Sequence, residues 1–265
     1  MNLIYQYWNG NVRPSARAGV ENMKAYAERI GAEYRFDENP NYFIGLNPNA
    51  AKYYDCFRPV FDEKFHKYDN VMFADTDVFA VDGLEENVFD SFDGEIGMCT
   101  EPFQPKQRTI TLGRITSEKD EQWAKIIKRK FGVDLPRNEE NLLKVYNSGV
   151  VLYSKSGLKK AKHEFMDFNK YIQLVQSIDS FYTLDQPYLH AMAFATSVNF
   201  VELDNGWNSY IHGTKDKHNP KRRIVDHRDA NTKFVHCQFP GADDMDADQL
   251  WKVVNLSRDQ WGYDI

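Results

Sequence analysis

Short apolar runs alternate with amphipathic helical stretches along most of this chain, and that alternation limits its fold more than any other feature. "NLIYQYW" reads as a strand. After a loop containing Gly, Asn and Pro, "SARAGVENMKAYAERIG" puts Val20, Met23, Ala27 and Ile30 on one helical face. Ser15 is placed to cap that helix, and Gly31 stands where a helix usually ends. "EYRF" then restarts an extended segment, and the strand, helix, strand order predicts parallel pairing in an α/β sheet. "KYYDCFRPVFDEKFHKYD" is a second helical stretch, broken or delayed by Pro59, that leads into the buried strand "NVMFAD".

Downstream, "DGEIGMCT" and "VYNSGVVLYS" read as strands, with the helix "SEKDEQWAKIIKRKFG" between them turning Trp123, Ile126, Ile127 and the stem of Lys130 inward. "GLKKAKHEFMDFNKYI" is a further amphipathic helix, and "LDQPYLHAMAFAT" is another, with Asp185 near its N-cap and Pro187 in its first turn. "VNFVELD" and "KFVHCQFPG" are extended, and "DADQLWKVVNLSRDQW" closes the sequence as a helix. No repeat, low-complexity tract or Pro/Ser linker interrupts the 265 residues, so one domain over 1–265 is expected, and 42% hydrophobic content supplies its core.

Composition narrows the function. A net charge of −6 argues against binding nucleic acid through a broad basic face. Cys56, Cys99 and Cys237 are odd in number and far apart, which indicates neither a disulfide framework nor a zinc ribbon. No apolar run is long enough to cross a bilayer, and the start "MNLIYQYWNG" lacks a signal-peptide pattern, so a cytoplasmic location is expected.

The chemistry concentrates in "KYDNVMFADTDVFAVD", where Asp75 and Asp77 follow an apolar strand. In open α/β sheets ligands bind outside the carboxyl ends of strands, which is where this pair stands. Three readings compete. A hard divalent cation such as Mn²⁺ or Mg²⁺ would take oxygen ligands from both carboxylates and hold a diphosphate. A phosphohydrolase would use the first Asp as nucleophile and the second as general acid. A solvated turn needs neither, since Asp is abundant at strand ends.

In that context "YDNVMFADTDVFAVD" resembles the Asp-x-Asp strand of GT-A glycosyltransferases, especially the glycogenin-like and lipopolysaccharide galactosyltransferase-like group. "SARAGVENMKAYAERIGAEY", "YNSGVVLYS", "LDQPYLHAM" and "VHCQFPG" are similar to further segments of these enzymes in the expected order, over roughly residues 3 to 241. The resemblance implies a single Rossmann-like GT-A domain with a mostly parallel mixed sheet. A nucleotide-binding half over 1–100 would end in the Asp-x-Asp strand, and an acceptor half over 101–265 would carry the late His segment and the C-terminal helix.

The resemblance further implies that Asp75 and Asp77 coordinate Mn²⁺ (or Mg²⁺), with Asp75 also touching the ribose. His236 would be the third ligand and His212, in "YIHG", the fallback. Asn147 and Ser148 would sit near the donor sugar, with Gly149 leaving room for it, and Asp185 and Gln186 would face sugar and acceptor. Tyr5, Gln6 and Tyr7 would seat the nucleotide base. Each has a plainer alternative: a core histidine at 236, a strand irregularity at 147 and 148, an N-cap at Asp185, core packing at Tyr5. The chain departs from the family pattern after Gly241, where the acidic "ADDMD" stands in place of the usual Lys-Pro-Trp.

The expected activity is metal-dependent transfer of a hexose or pentose from a nucleotide diphosphate sugar, with a UDP-sugar favoured, to a hydroxyl acceptor on a glycan, lipid-linked, protein or modified-DNA molecule. An inverting enzyme needs a carboxylate near the acceptor, for which Asp185 and Glu202 are the candidates. Lys215 to Arg228, with six Lys or Arg against two Asp, reads as a solvated loop, a cover for the diphosphate, or a contact for a polyanionic acceptor. The last version fits a phage-type enzyme that glycosylates hydroxymethylated bases in DNA. Phosphohydrolysis is a further alternative, although such enzymes normally carry Asp-x-Asp on their first strand. A non-enzymatic carbohydrate-binding relative would retain its binding after loss of Asp77.

Overall fold

The computed structural model describes residues 1–43, 48–102, 115–216 and 219–262. Strand β1 (Asn2–Trp8) buries Leu3, Ile4, Tyr5 and Gln6 in succession, the pattern of a strand covered on both faces. Helix α1 (Pro14–Arg29) begins with a proline, whose fixed φ and missing N–H suit a first helical position. Arg13 is therefore the cap residue, and Ser15, expected to cap, lies inside the helix and donates its hydroxyl to the Asp243 carbonyl at 2.9 Å. Val20, Met23 and Ala27 are buried as their spacing predicts, and Gly31 follows the helix with φ +69°.

Strand β2 (Glu33–Glu38) returns parallel to β1. The stretch around Pro59 is broken, as expected, into α2 (Pro48–Tyr54), a 3-10 turn and α3 (Arg58–Phe61), with Pro59 in the first turn of α3. Strand β3 (Asn70–Ala74) pairs parallel to β1, and after a short turn β4 (Val78–Ala80) leaves for a second sheet. Strand β5 (Ile96–Thr100), helix α4 (Ser117–Phe131) and strand β6 (Tyr146–Ser154) follow. The stretch expected as one helix from 157 to 172 is two, α5 (Lys155–Glu164) and α6 (Phe168–Val175), because Asp167 caps a new start by accepting the Lys170 N–H. Helix α7 (Asp185–Ala195) and strands β7 (Phe200–Glu202), β8 (Ser209–Asp216), β9 (Asn219–Asp226) and β10 (Phe234–Gln238) lead to α8 (Ala247–Asn255), which Asp246 and Gln249 cap reciprocally.

The large sheet is six-stranded in the order β2-β1-β3-β6-β5-β7, and β6 alone runs against the others. The α/β class and the parallel pairing of the opening strands are thus as the sequence predicts. A four-stranded sheet, β4-β10-β8-β9, stands beside it. The basic stretch belongs to the β8–β9 hairpin rather than to a loop, and its positions 217 and 218 lie outside the described residues. One face of the large sheet packs Leu3, Tyr5 and Phe73 with Trp123, Tyr171 and Tyr188 from the helices. The other packs Ile4 and Met72 against Met23, Tyr26 and Ala27 of α1. No helix among the described residues is long and apolar enough to cross a membrane.

Candidate active site

Asp75, Thr76 and Asp77 form the turn that passes from the large sheet to the small one. Backbone bonds hold it from several sides. The Asp75 N–H donates to the Gly149 carbonyl at 2.8 Å, and the Asp75 carbonyl accepts from Gln6 Nε2 at 2.9 Å. The Cys237 N–H donates to the Asp77 carbonyl at 2.9 Å. Helix α1 closes on the turn through Gly19, where a Cβ would stand 1.9 Å from the Thr76 carbonyl oxygen.

His236 comes from β10, the strand that β4 pairs with, and sits opposite Val78 in that ladder. Its ring stacks on Tyr210 at 4.6 Å and is fully buried. Nδ1 lies 3.1 Å from Asn208 Oδ1. Nε2 lies 3.2 Å from Asp77 Oδ1, close enough for a charge contact but without the alignment of a hydrogen bond. One donor atom from each of Asp75, Asp77 and His236 falls within 4.8 Å of the other two. A single cation with ligand bonds of about 2.1–2.4 Å would draw these atoms slightly closer together, a movement the half-exposed Asp77 side chain can make. A buried imidazole nitrogen with no hydrogen-bond partner, aimed at two carboxylates, is the donor set such a cation needs, so the residues fit the metal that the resemblance implies.

The electrostatics agree. Burial first, and then repulsion from Asp77, push the Asp75 carboxyl up to about 8, with His236 offsetting part of the shift. Burial lowers the His236 imidazole, but Asp77 and Asp75 override it and the net shift is upward. Without a cation the cluster retains protons that a cation would displace.

His212 does not join this cluster. It stands opposite Gln238 on β10, stacks on His227 at 5.0 Å, and burial drives it down to about 4.

Because β6 runs against β3, its beginning rather than its end lies beside Asp75. Asn147 and Ser148 are both buried there. The Asn147 amide donates to Gln186 Oε1 at 3.0 Å, Gln186 Nε2 donates to Glu101 Oε1 at 2.7 Å, and Ser148 Oγ donates to Asp185 Oδ2 at 2.7 Å. Asp185 is the first residue of α7 and makes no cap; Leu184 holds the cap position. Burial raises the Asp185 carboxyl, and the Ser148 bond opposes that rise. The space above Gly149, expected to be left for a sugar, is filled by the His236 ring.

A cleft of about 490 Å³ opens over these groups and brings together Tyr7, Asp75, Asp77, Asn147, Ser148, Asp185 and Gln186. Tyr5 does not reach it. It is two residues deeper on the same face of β1, buried edge-on against Phe65 at 5.0 Å, because the strand runs on to Trp8. Gln6 is buried too and acts through the Asp75 carbonyl, while its Oε1 accepts from Tyr34 at 2.7 Å. Glu202 lies away from the cleft on the edge strand β7, paired with Lys144 at 2.8 Å.

Sequence reasoning missed Asn208, Glu101, Arg13, Lys52 and Asp243. Arg13 was accessible to it, since the residues between a strand's carboxyl end and the next helix line ligand sites in α/β sheets. Arg13 and Lys52 line the cleft, and Arg13 is ion-paired with Asp243 from the acidic segment after Gly241.

No protein-family model matches the chain, and no curated protein matches it. Solved structures do. An active-site mutant of LgtC is 15% identical, covers 98% of this chain and 99% of that one, and superposes with a TM-score of 0.53. The galactosyltransferase LgtC in complex with donor and acceptor sugar analogs is 16% identical over 98% and 99%, with a TM-score of 0.51. The chain thus has the GT-A glycosyltransferase fold, an α/β arrangement with a mixed six-stranded sheet flanked by helices.

Proposed function

We propose that this protein is a metal-dependent glycosyltransferase that moves a sugar from a nucleotide diphosphate donor, with UDP-sugars favoured, to a hydroxyl acceptor. It works as one unit over 1–265, with the nucleotide held by the 1–100 half and the acceptor by the 101–265 half. The observation that carries the reading is the buried His236 Nε2, which has no hydrogen-bond partner and faces Asp75 and Asp77 where they line the cleft.

Asp75, Asp77 and His236 hold Mn²⁺ or Mg²⁺, which when bound supplies Lewis-acid stabilisation for the departing diphosphate. Arg13 and Lys52 add positive charge along the same cleft, in the role the absent lysine motif would fill. Tyr7 offers its ring to the base. Asn147, Ser148 and Gln186 orient the sugar, and Asp185, its carboxyl raised by burial, stands ready to take a proton from the acceptor hydroxyl.

The test is calorimetric titration of UDP, GDP and UDP-glucose with Mn²⁺ and again with EDTA, using Asp77→Asn as the control. Binding that requires the cation and disappears in Asp77→Asn is the expected result. No nucleotide binding in either condition would sink the reading.

A further inference from the structure

One backbone amide dictates the polarity of a whole buried chain of side chains. The Gly149 N–H can only donate, and it points at an Asn147 side-chain atom 2.7 Å away, so that atom is the carbonyl oxygen Oδ1. Asn208 approaches the same oxygen at 3.0 Å and must therefore present its amino group. The other end of the Asn208 amide, facing His236 Nδ1 at 3.1 Å, is then an oxygen, and Nδ1 must carry a hydrogen. In the neutral ring this leaves the lone pair on Nε2, the nitrogen that faces the aspartates.

We propose that Asn208 is the positioning residue that fixes His236 in its Nδ1–H tautomer. Asn208 is 1% exposed, Asn147 5% and His236 fully buried, so water cannot substitute for a reversed amide. A reversed Asn208 would set oxygen against oxygen at Asn147. Gly149 also supplies the room: a Cβ there would lie 2.8 Å from both Asn147 Oδ1 and His236 Nδ1. The second end of Asn147 continues the chain to Gln186, so one polar rail runs from the cation ligand to the opposite wall of the cleft.

The inference rests on the glycosyltransferase reading only for what the cation then does; the tautomer itself requires no nucleotide. In metal-free wild-type protein at alkaline pH, nitrogen-15 NMR of the neutral His236 ring is expected to find the proton on Nδ1 and a bare Nε2. A neutral ring protonated on Nε2 would overturn the proposal without any variant. Asn208→Leu, its fold checked by circular dichroism, should bind Mn²⁺ about 10–100-fold more weakly. Asn208→Asp keeps an acceptor for Nδ1–H but loses the donor to Asn147, so it should bind Mn²⁺ more tightly than Asn208→Leu and more weakly than the wild type. Wild-type Mn²⁺ affinity in folded Asn208→Leu would also overturn the assignment. Nδ1 protonation and weakened Mn²⁺ binding in Asn208→Leu, without metal-dependent UDP binding in the wild type, would leave the lock standing and remove the glycosyltransferase reading.

Discussion

The imidazole of His236 lies directly over the α-carbon of Gly149, so closely that a Cβ built there would stand 2.4 Å from His236 Cε1. Gly149→Ala must displace the ring or the strand. We expect it to lower stability by about 1–3 kcal/mol, and to weaken Mn²⁺ binding about 10-fold as Nε2 is turned from the aspartates. Chemical unfolding and calorimetry read the two effects, and an unchanged Mn²⁺ affinity would show that the ring is not held by this contact.

Gly19 makes an opposite case to ordinary helix propensity. In an open helix interior, Gly→Ala stabilises by about 1 kcal/mol. In α1 the added methyl would meet the Thr76 carbonyl at 1.9 Å and press on the Asp75–Asp77 turn. Gly19→Ala should therefore destabilise, by about 1–3 kcal/mol, and reduce cation affinity with it. A stabilised variant would mean that the turn yields without cost.

The acid cluster sets a pH dependence whose sign follows from its shifts. Asp75 is raised from 3.8 to about 8 in the metal-free fold, so the native state binds that proton more tightly than the unfolded chain. Its contribution is fully present below the unfolded value and is lost as pH rises through the folded one; the upward shift of His236 acts in the same direction. In EDTA, the wild type should lose stability relative to Asp75→Asn as pH rises from about 5 towards the folded carboxyl value of about 8. With saturating Mn²⁺ the slope should reverse, since the cation favours the deprotonated ligands. Urea midpoints at both pH values decide it; parallel slopes for the two proteins in EDTA would contradict the shift.

Asp185 and the proposed cation ligands should separate kinetically. Asp185→Asn leaves the Asp75, Asp77 and His236 donors intact, so Mn²⁺ binding should persist while sugar transfer falls by about 100-fold or more. Ser148→Ala removes the hydroxyl that opposes the rise of the Asp185 carboxyl and should move the acid limb of the pH–rate profile upward. A profile that does not move would separate Ser148 from Asp185 function.

The acid pair was legible because its signal is local: an apolar strand followed at once by Asp75 and Asp77. His236 was legible only through resemblance, since "FVHCQF" alone reads equally well as core. Asn208 was not legible at all, because its role depends on His236, 28 residues away, and on Asn147, 61 residues away, which sheet pairing brings together. Ser15 was misread because Pro14 is the stronger start signal and moves the cap to Arg13. Tyr5 and Tyr7 share a face of β1 and look equivalent in sequence; only where the strand ends puts one in the core and the other in the cleft. The β8–β9 hairpin escaped because its strands are polar, and its place depends on β8 pairing with β10.

The late place in the sequence of β6, which pairs directly beside β3, has a consequence for how the sheet forms. Before Tyr146–Ser154 is available, β1, β2 and β3 can already pair, but the free edge of β3 faces a gap that β6 has yet to fill. During that interval the Asp75 N–H lacks its Gly149 acceptor, and Val71, Met72 and Phe73 line an open edge. Such an edge invites pairing with another chain. A chain that folds in this order would carry an aggregation-prone edge until Tyr146–Ser154 inserts, and the same insertion delivers Asn147 and Ser148 to the aspartates.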